Sequence, residues 1–388
     1  MSIINTGLPP GEQAKGLFDQ FTDTMEEGLL GIHEGIPVGI GKLDSYLSLR
    51  KSMLYVLGGY TGSAKTSAAD ELFVLNPYEH MLREGKTDKL RIVYWSMERK
   101  KVFKVAKWIS HKIFKETGEV IPMKRLLGWV KKDQRLSEEE QRQVKALKPY
   151  FDKMFECIRI IDGRQNPTGI RKEIKRIALE NGEQTKINQY EEVYKPFDPS
   201  VIWFHLFDHV GKLKCENGKS LKDTIDSFSD DTSNLTRDLY GHSALILSQF
   251  NRDISNPSRL KMGDVEPRLE DFKNTGDLTE DADVVMAIFD PWRYKVADTM
   301  GFDLERLRSK EGAKMYRSFQ ILKSSYDTEG VKTGLAFQPH TGIFKELPLP
   351  EQMGQTYNKV TDNSFFMTPE AIRYQTEKKM KEIQSAAA

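Results

Sequence analysis

Apolar and polar positions follow two patterns along most of the chain. Between about residues 50 and 345, short runs of consecutive apolar residues alternate with longer stretches in which apolar residues recur every three or four positions. The short runs predict buried strands, and the longer stretches predict amphipathic helices that pack on them. Together they predict an α/β fold, a mostly parallel twisted sheet with helices on both faces. Strands are expected at 53–58, 91–96, 158–161, 201–208, 244–249, 283–289 and 318–323.

Two segments lie outside this alternation. Residues 13–30 carry an acidic helical pattern, and the tail from Thr368-Pro369-Glu370 onward carries a basic one. We therefore expect an N-terminal segment 1–32 with an amphipathic helix, a core 33–350, and a tail 351–388 with a short helix. Residues 181–200 and 296–312 are expected to be insertions, either of which could contain a helix. The apolar stripes of the two terminal helices are Ala14, Leu17, Phe18, Phe21, Met25 and Leu29, and Ile372, Met380 and Ile383.

Composition and charge narrow the class of protein. Of 388 residues, 58 are Lys or Arg and 57 are Asp or Glu, which excludes a polycationic chain and requires a local patch for any nucleic-acid contact. Segment 101–150 holds 13 Lys and Arg against 6 Asp and Glu. That excess fits solvated helix faces, since Val102, Val105, Ile109 and Ile113 mark a buried side, or attraction for a polyanion.

Cysteine count and hydropathy bear on the compartment. Cys157 and Cys215 are too few for a disulfide framework or a structural zinc cluster. The longest apolar runs fall well short of a membrane span, and the first residues lack a secretory pattern. The sequence therefore predicts a soluble, cytoplasmic protein without a membrane partner.

The strongest local motif is a phosphate-binding loop. Residues 53–66, MLYVLGGYTGSAKT, read as a strand, a glycine-bearing loop and the start of a helix at Lys65-Thr66. Loop amides would surround a β-phosphate, Lys65 would reach the β and γ oxygens, and the Thr66 hydroxyl would bind Mg²⁺. Ala64 stands where such loops usually have glycine, which places a methyl group near the phosphate. A flexible loop that happens to precede Lys-Thr is the alternative.

Polar residues at the ends of other predicted strands complete this site. Asp208 ends an apolar strand and would hold Mg²⁺ through water. Glu98 follows the strand 91–96 and is the candidate base, and Gln249 at the end of 244–249 could sense the γ-phosphate. His205, inside the strand 201–208, is interpreted as a core histidine rather than a ligand. The expected ligands are ATP and Mg²⁺.

The order of these motifs resembles the RecA-type ATPase core, and more closely the C-terminal domain of DnaB-type replicative helicases. The resemblance spans about residues 33–345 and rests on the segments 35–44, 95–98, 247–252 and 271–283 in addition to the phosphate loop. It implies that Glu98 is the catalytic base, that Asp208 holds magnesium and that Gln249 couples nucleotide state to DNA. It implies nucleotide binding by Gly62, Ser63, Ala64, Lys65, Thr66, Ser67 and Lys323.

The same resemblance implies a surface for single-stranded DNA. A family loop of sequence Arg-Glu-Ser-Gly, which touches DNA phosphates, corresponds to residues 273–276 here. Contacts of this kind hold the backbone without reading sequence. The candidates are Lys273, Asn274 and Gly276, with Arg259, Lys261 and Arg268 as weaker ones.

Two departures from the family pattern stand out. The family ends a late strand with Lys-x-Arg, whose arginine acts on the ATP of the neighbouring subunit, but here Lys323 is followed two residues later by Ser325. Arg317, or a residue of 296–312, could substitute. Only some thirty residues precede the core, and the stripe in 13–30 resembles the helix that docks on an adjacent subunit of the ring.

The favoured hypothesis is an ATP-dependent replicative helicase that forms a ring of six subunits on single-stranded DNA, with a primase or helicase loader as a further partner. A RecA-like recombinase or mediator that forms open filaments is one alternative. A nucleotide-gated scaffold with little turnover is another, motivated by Ala64 and Ser325.

Overall fold

The computed structural model describes residues 17–387 apart from 30, 32, 189–191, 252–255, 264 and 273–275. The chain divides into two compact units, Met1–Gly35 and Ile36–Ala388. In the described part of the first unit, helix α1 (Leu17–Leu29) confirms the predicted helix. Its apolar side chains Phe18, Phe21, Met25 and Leu29 are exposed. Ala14, the first position of that stripe, lies outside the described residues.

The described part of the second unit is built on a nine-stranded sheet in the order β13–β12–β11–β10–β3–β9–β8–β4–β5. From β10 to β5 neighbouring strands are parallel. The last three, β11 to β13, are added antiparallel beside β10. The prediction of a mostly parallel sheet is therefore confirmed. The strands are β1 (Ile36–Pro37), β2 (Ser48–Leu49), β3 (Leu54–Gly59), β4 (Leu90–Ser96), β5 (Ile158–Asp162), β6 (Gly182–Lys186), β7 (Glu192–Pro196), β8 (Ile202–Asp208), β9 (Ser243–Gln249), β10 (Val284–Phe289), β11 (Tyr316–Ser324), β12 (Lys332–Gln338) and β13 (Ile343–Glu346).

Helices cover both faces of this sheet. Helix α3 (Lys65–Asp70) continues through a π-helical turn, Glu71–Leu75, into α4 (Asn76–Arg83), and α10 (Leu221–Asp230) continues into a second π-helical turn, Asp231–Leu239. None of the described helices is long and apolar enough to cross a membrane. The remaining helices are α2 (Gly41–Asp44), α5 (Lys101–Thr117), α6 (Met123–Leu126), α7 (Glu138–Ala146), α8 (Lys148–Cys157), α9 (Pro167–Glu180), α11 (Pro257–Lys261), α12 (Gly276–Asp281), α13 (Thr356–Thr361) and α14 (Pro369–Ala387).

Apolar side chains on the two faces of the sheet form separate cores. On one face Phe73 stacks on Phe204, with ring centroids 6.0 Å apart. On the other, Phe207 packs edge-on against Phe228 at 4.9 Å. Because successive side chains of a strand point to opposite faces, a strand buried on both sides has to be apolar at nearly every position. This is the reason that β8 and β9 appear in the sequence as continuous apolar runs.

The structure shows what the two expected insertions contain and adds two strands that were not predicted. Within 181–200 the strands β6 and β7 pair in antiparallel orientation. The described part of 296–312 contains only a short 3₁₀ turn, Glu305–Leu307. Strands β12 and β13, after the last predicted strand, were not predicted. The edge strand β13 has only four residues, and β12, which lies between β11 and β13, begins with Lys332, Thr333 and Gly334.

The helix of the C-terminal tail is longer than the short helix that the sequence predicts. Helix α14 is 19 residues long and packs along α5. The Thr368 hydroxyl accepts a hydrogen bond from the Ala371 amide at 3.1 Å, and Gln375 Nε2 donates to the Thr117 carbonyl at 2.7 Å. The predicted stripe residues Ile372, Met380 and Ile383 remain exposed on the opposite side.

Candidate functional site

The predicted phosphate loop joins the end of β3 to the start of α3. Gly62 has a φ of +87°, in the region that favours glycine. A side chain at Gly59 would bring its Cβ to 2.6 Å from Ser63 Oγ and 3.0 Å from the Ile288 carbonyl oxygen, so only glycine fits there. The Ser63 hydroxyl donates to the Tyr60 carbonyl at 2.8 Å, which closes the loop. These contacts fix the backbone of the loop before any ligand binds.

Ala64, the unusual residue of the motif, adopts a left-handed conformation with φ 72° and ψ 22° at the N-terminus of α3. A left-handed backbone costs an L-residue about 1–2 kcal/mol, whereas glycine adopts it freely but loses up to about 1 kcal/mol of chain entropy. Ala64→Gly is therefore expected to raise the free energy of unfolding slightly, by up to about 1 kcal/mol. Chemical denaturation of the two proteins measures this. A loss of stability would contradict the assignment of strain to Ala64.

Two arginines hold the carbonyl groups of the loop. Arg317 Nε donates to the Ser63 carbonyl at 3.0 Å, and Arg293 Nη1 donates to the Thr61 carbonyl at 2.6 Å. Arg317 is only 5% exposed and lies 3.5 Å from the Asp290 carboxylate. Arg317 is thus committed to the phosphate loop of its own chain. This corrects the suggestion that Arg317 replaces the arginine that acts on a neighbouring subunit.

Lys65, Thr66 and Asp208 meet at the carboxyl ends of the parallel strands. Lys65 Nζ donates to the Gly59 carbonyl at 3.2 Å, and the Thr66 hydroxyl donates to Asp208 Oδ1 at 3.1 Å. Burial lowers the pKa of Lys65 to about 8, against the opposing charges of Asp208 and Glu98. A phosphate in contact with Nζ would oppose this desolvation by favouring the charged ammonium.

The second oxygen of Asp208 belongs to a buried polar cluster of Asp70, Tyr94, Lys104 and Asp208, here named the Lys104 cluster. Lys104 Nζ lies 3.1 Å from Asp70 Oδ1 and 3.5 Å from Asp208 Oδ2. The Tyr94 hydroxyl lies 3.0 Å from Asp70 Oδ1 and 3.2 Å from Asp208 Oδ2, so its single proton can be donated to either carboxylate. Burial raises the pKa of Tyr94, which keeps this hydroxyl protonated. The cluster therefore fixes the orientation of Asp208, whose other oxygen faces Thr66.

Glu98 and Gln249 approach the same place from β4 and β9, with His209 between them. His209 Nε2 lies 3.6 Å from Glu98 Oε2 and 3.3 Å from Gln249 Nε2. Burial and the neighbouring Lys65 lower the pKa of His209, although Asp208 and Glu98 oppose them, so the imidazole is neutral at pH 7. Neutral His209 can thus accept a hydrogen bond from the Gln249 amide beside Glu98.

These residues line one cavity of about 240 Å³. Of the predicted residues, it brings together Gly62, Ala64, Lys65, Thr66, Ser67, Glu98, Asp208 and Gln249. Its further lining residues are Tyr60, Thr61, Arg99, Phe103, Lys104, Lys107, Met123 and His209. The predicted residue Ser63 contributes to the loop but does not line the cavity.

The cavity has the chemistry that a nucleotide and a magnesium ion require. Four cationic side chains line it, Lys65, Arg99, Lys104 and Lys107, which suits a polyanion. The Thr66 hydroxyl and the Asp208 carboxylate are hard oxygen ligands within 3.1 Å of each other. The described residues contain no group of three or more His, Cys, Asp or Glu that could hold a metal ion. A magnesium ion here would depend on phosphate and water oxygens for most of its ligands.

Other predicted residues lie elsewhere. Lys323 pairs with Val285 at the start of β10, while the cavity is at the opposite ends of the strands. Its Nζ donates to the carbonyls of Thr279 at 3.1 Å and Glu280 at 2.6 Å. Lys323 is therefore not part of the nucleotide cavity of its own chain. His205 stacks on His242 in the core, as the interpretation of a core histidine predicts.

The predicted DNA-binding residues are described only in part. Lys273 and Asn274 lie outside the described residues, and Gly276 is the first residue of α12. Lys261 and Arg268 are exposed. Arg259 is engaged with its own chain, because Nη1 lies 2.5 Å from Asp271 Oδ1.

Sequence reasoning missed several residues of the site. His209 could have been found, since it directly follows Asp208. Lys104 and Lys107 lie in a stretch where lysines looked like solvated positions, and Arg317 is far away in sequence on an antiparallel strand. Nothing in the linear pattern marks these three as neighbours of the phosphate loop.

A phosphate loop between a strand and a helix, with carboxylates from two neighbouring parallel strands, defines a P-loop nucleotide-binding protein. The family model described as the DnaB-like helicase C-terminal domain matches residues 35–345. The chain therefore belongs to the DnaB-like helicase family, and with it to the ATP-hydrolysing DNA helicases of the P-loop class.

Solved structures share this fold. One of them, an ATPase domain, has a TM-score of 0.62 and 17% identity, over 86% of this chain and 99% of that one. A second structure is that of a DnaB-like replicative helicase, described together with its interactions with primase. It has a TM-score of 0.59 and 17% identity. The match covers 85% of this chain and 66% of that helicase. A search of curated protein sequences finds no match.

Proposed function

We propose that this chain binds ATP with Mg²⁺, forms a ring of six subunits on single-stranded DNA, and uses ATP hydrolysis to move along that strand and separate duplex DNA during replication. The family membership supports the helicase class. The observation that carries the proposal for this chain is a packed junction between the nucleotide cavity and the loop expected to contact DNA.

In that junction the aromatic rings of Phe250 and Phe272 pack against Gly58 of β3. Phe250, which follows Gln249, pairs with Phe272, which precedes Lys273. A Cβ added to Gly58 would lie 2.3 Å from the Phe250 ring and 2.5 Å from the Phe272 ring. Tyr60, in the phosphate loop, packs edge-on against Phe250 at 5.1 Å. A movement of Gln249 or of the phosphate loop would therefore displace the base of the 250–272 loop, which is what coupling of hydrolysis to DNA requires.

In the proposed reaction Glu98 takes the proton from the attacking water, and Lys65 binds the β and γ oxygens. The loop residues Gly62, Ser63, Ala64 and Ser67 position the phosphates. Gln249 responds to the γ-phosphate and passes that response to Phe250. Mg²⁺, held through Thr66 and Asp208, would neutralise phosphate charge.

We further propose that Lys273, Asn274, Gly276, Arg268 and Lys261 contact the DNA backbone, and that Lys323 acts toward a neighbouring subunit. The proposed organisation is a docking segment 1–32, the motor core 33–350 and a C-terminal segment 351–388. The structure of the similar DnaB-like helicase is described together with its interactions with primase, so a primase is the first partner to test.

Steady-state ATP hydrolysis with Mg²⁺, with and without saturating single-stranded DNA, tests the motor. We expect strong stimulation by DNA, together with closed rings in negative-stain images. Helical filaments on DNA would favour a recombinase instead. Tight ATP binding without turnover in either condition would favour a scaffold.

The salt dependence of DNA binding tests the contact loop. Lys273→Ala is expected to weaken binding and to reduce the slope of log K against log salt concentration by about one unit per lost phosphate contact. Fluorescence anisotropy at several salt concentrations measures this, with Lys172→Ala, an exposed lysine on α9, as the matched control. Unchanged affinity and slope would remove Lys273 from the DNA surface.

A further inference from the structure

The position at which the family carries its trans-acting arginine is Ser325 in this chain. Ser325 follows the end of β11, and its amide donates to the Asp283 carbonyl at 2.9 Å. A serine hydroxyl cannot supply the positive charge that stabilises a transferring phosphoryl group. Another cationic group has to fill this role if the chain hydrolyses ATP at a useful rate.

The other three cations that line the cavity have partners: Lys65 donates to the Gly59 carbonyl, Lys107 donates to the Ser67 hydroxyl, and Lys104 is paired with Asp70. Outside the lining, Arg317 and Arg293 hold carbonyl groups of the phosphate loop. Arg259 is bound to Asp271. Each of these side chains would have to break a contact to reach a phosphate.

Arg99 differs from them. It directly follows Glu98, the proposed base, and lines the same cavity as Lys65 and Gln249. Its backbone is held in place, because the Ser96 hydroxyl donates to the Arg99 carbonyl at 2.7 Å and the Lys101 amide donates to Asp162 Oδ2 at 3.1 Å. In the described part of the chain, no carboxylate lies within ion-pair distance of the Arg99 guanidinium. The backbone is thus fixed while the side chain remains available.

The positive charge around Arg99 also favours the binding of an anion. Burial lowers the pKa of Lys107 to about 8, and the nearby cations Lys104 and Arg99 add to this, while Asp70 and Asp208 oppose it. Arg99 and Lys107 therefore lie close enough to repel each other in a cavity that also contains Lys65. A phosphate group between them would relieve this repulsion.

We propose that Arg99 is a catalytic residue that acts on the ATP of its own subunit and replaces the trans-acting arginine missing at Ser325. When water attacks the γ-phosphorus, the bond from that phosphorus to the β–γ bridging oxygen breaks, ADP leaves with the electron pair, and Glu98 takes the water proton. The guanidinium of Arg99 stabilises the negative charge on the γ-phosphoryl oxygens during this step. This inference rests on the proposed nucleotide site but not on DNA translocation.

Arg99→Ala tests the role by separating catalysis from binding. Arginines of this kind contribute about 10³–10⁵ in kcat. We expect basal ATP hydrolysis without DNA to fall by at least about 10³-fold and the affinity for ADP to change less than about threefold. Tight binding of ADP with aluminium fluoride, which imitates the transferring phosphoryl group, should be lost. Arg99→Lys should recover part of the rate, and Lys100→Ala, an exposed neighbour that does not line the cavity, should behave as wild type.

A kcat within threefold of wild type would overturn the proposal. An equal loss of ADP affinity and kcat would also overturn it, because Arg99 would then be only a ground-state phosphate ligand. DNA stimulation and ring formation are measured separately, so failure of the motor proposal leaves these basal measurements interpretable.

A mixing experiment distinguishes action within a subunit from action on a neighbour. Arg99→Ala and Lys65→Ala are combined in equal amounts under assembly conditions. If Arg99 acts on its own subunit, neither variant provides a complete site and the mixture stays inactive. Recovery of hydrolysis would show that the arginine of one subunit serves the ATP of another, which would contradict the proposal.

Discussion

Lys65→Ala is expected to lower kcat for ATP hydrolysis by at least about 10²–10³-fold, because it removes the ammonium group that we propose contacts the β and γ oxygens in the nucleotide cavity. Lys65 is 7% exposed, and its one described hydrogen bond is to the Gly59 carbonyl at 3.2 Å. The loss of Lys65 leaves the carboxylates of the Lys104 cluster paired with Lys104, so the fold should persist. Coupled-enzyme kinetics measure the rate, and circular dichroism and thermal unfolding check the fold.

Glu98→Gln provides the matched comparison for this prediction. Both variants should lose turnover, but Glu98→Gln should still bind ATP because it keeps the phosphate contacts, whereas Lys65→Ala should bind it more weakly. Binding of a fluorescent ATP analogue separates the two effects. Turnover retained in a folded Lys65→Ala protein would remove Lys65 from the phosphate site.

Lys104→Met is expected to lower the free energy of unfolding by about 3–5 kcal/mol, since it leaves buried carboxylates without their cation. Asp70 and Asp208 are 3% and 5% exposed, so water can solvate these carboxylates only poorly once the ammonium group is lost. The double variant Asp70→Leu/Lys104→Met should recover much of this loss, because an apolar pair can replace a buried ion pair at little cost. Urea denaturation of the single and double variants gives the coupling energy directly.

An exposed ion pair supplies the control. Lys148 lies in contact with Asp152 on α8, and its side chain is 75% exposed. Lys148→Met should change the free energy of unfolding by less than about 1 kcal/mol. If Lys104→Met is equally mild, the Lys104 cluster does not stabilise the protein. ATP hydrolysis by the double variant separately measures whether Asp208 still functions when Tyr94 and Thr66 contact it but Lys104 does not.

The elements of the fold were largely predictable because buried parallel strands have an apolar residue at nearly every position. All seven predicted strands are present, with ends shifted by at most two residues. The hairpin β6–β7 was not predictable, because its strands are mostly polar and largely exposed, although Gly182 is buried and Tyr194 packs on Tyr240. The antiparallel strands β12 and β13 were missed because their apolar runs are short: β12 begins with Lys332, Thr333 and Gly334 although it is buried, and β13 has only four residues.

The residues of the candidate site also separate into those that local sequence could identify and those that it could not. Lys65, Thr66, Glu98, Asp208 and Gln249 could be found because each lies at or just after the end of a strand whose carboxyl end is at one edge of the sheet. Parallel strands bring all such ends together, so local sequence was enough.

What the sequence alone determined is the α/β architecture, the phosphate loop and the residues at the strand ends, because these depend on periodicity and on short fixed spacings. Only the tertiary structure decided which charged side chains serve the site. Arg317 holds the Ser63 carbonyl of the phosphate loop from a strand more than 250 residues later in the sequence. Lys104 forms an ion pair with Asp70 next to Asp208. A lysine or arginine looks the same in a sequence whether it is solvated, paired or aimed at a ligand, since its role depends on the partners that folding places around it.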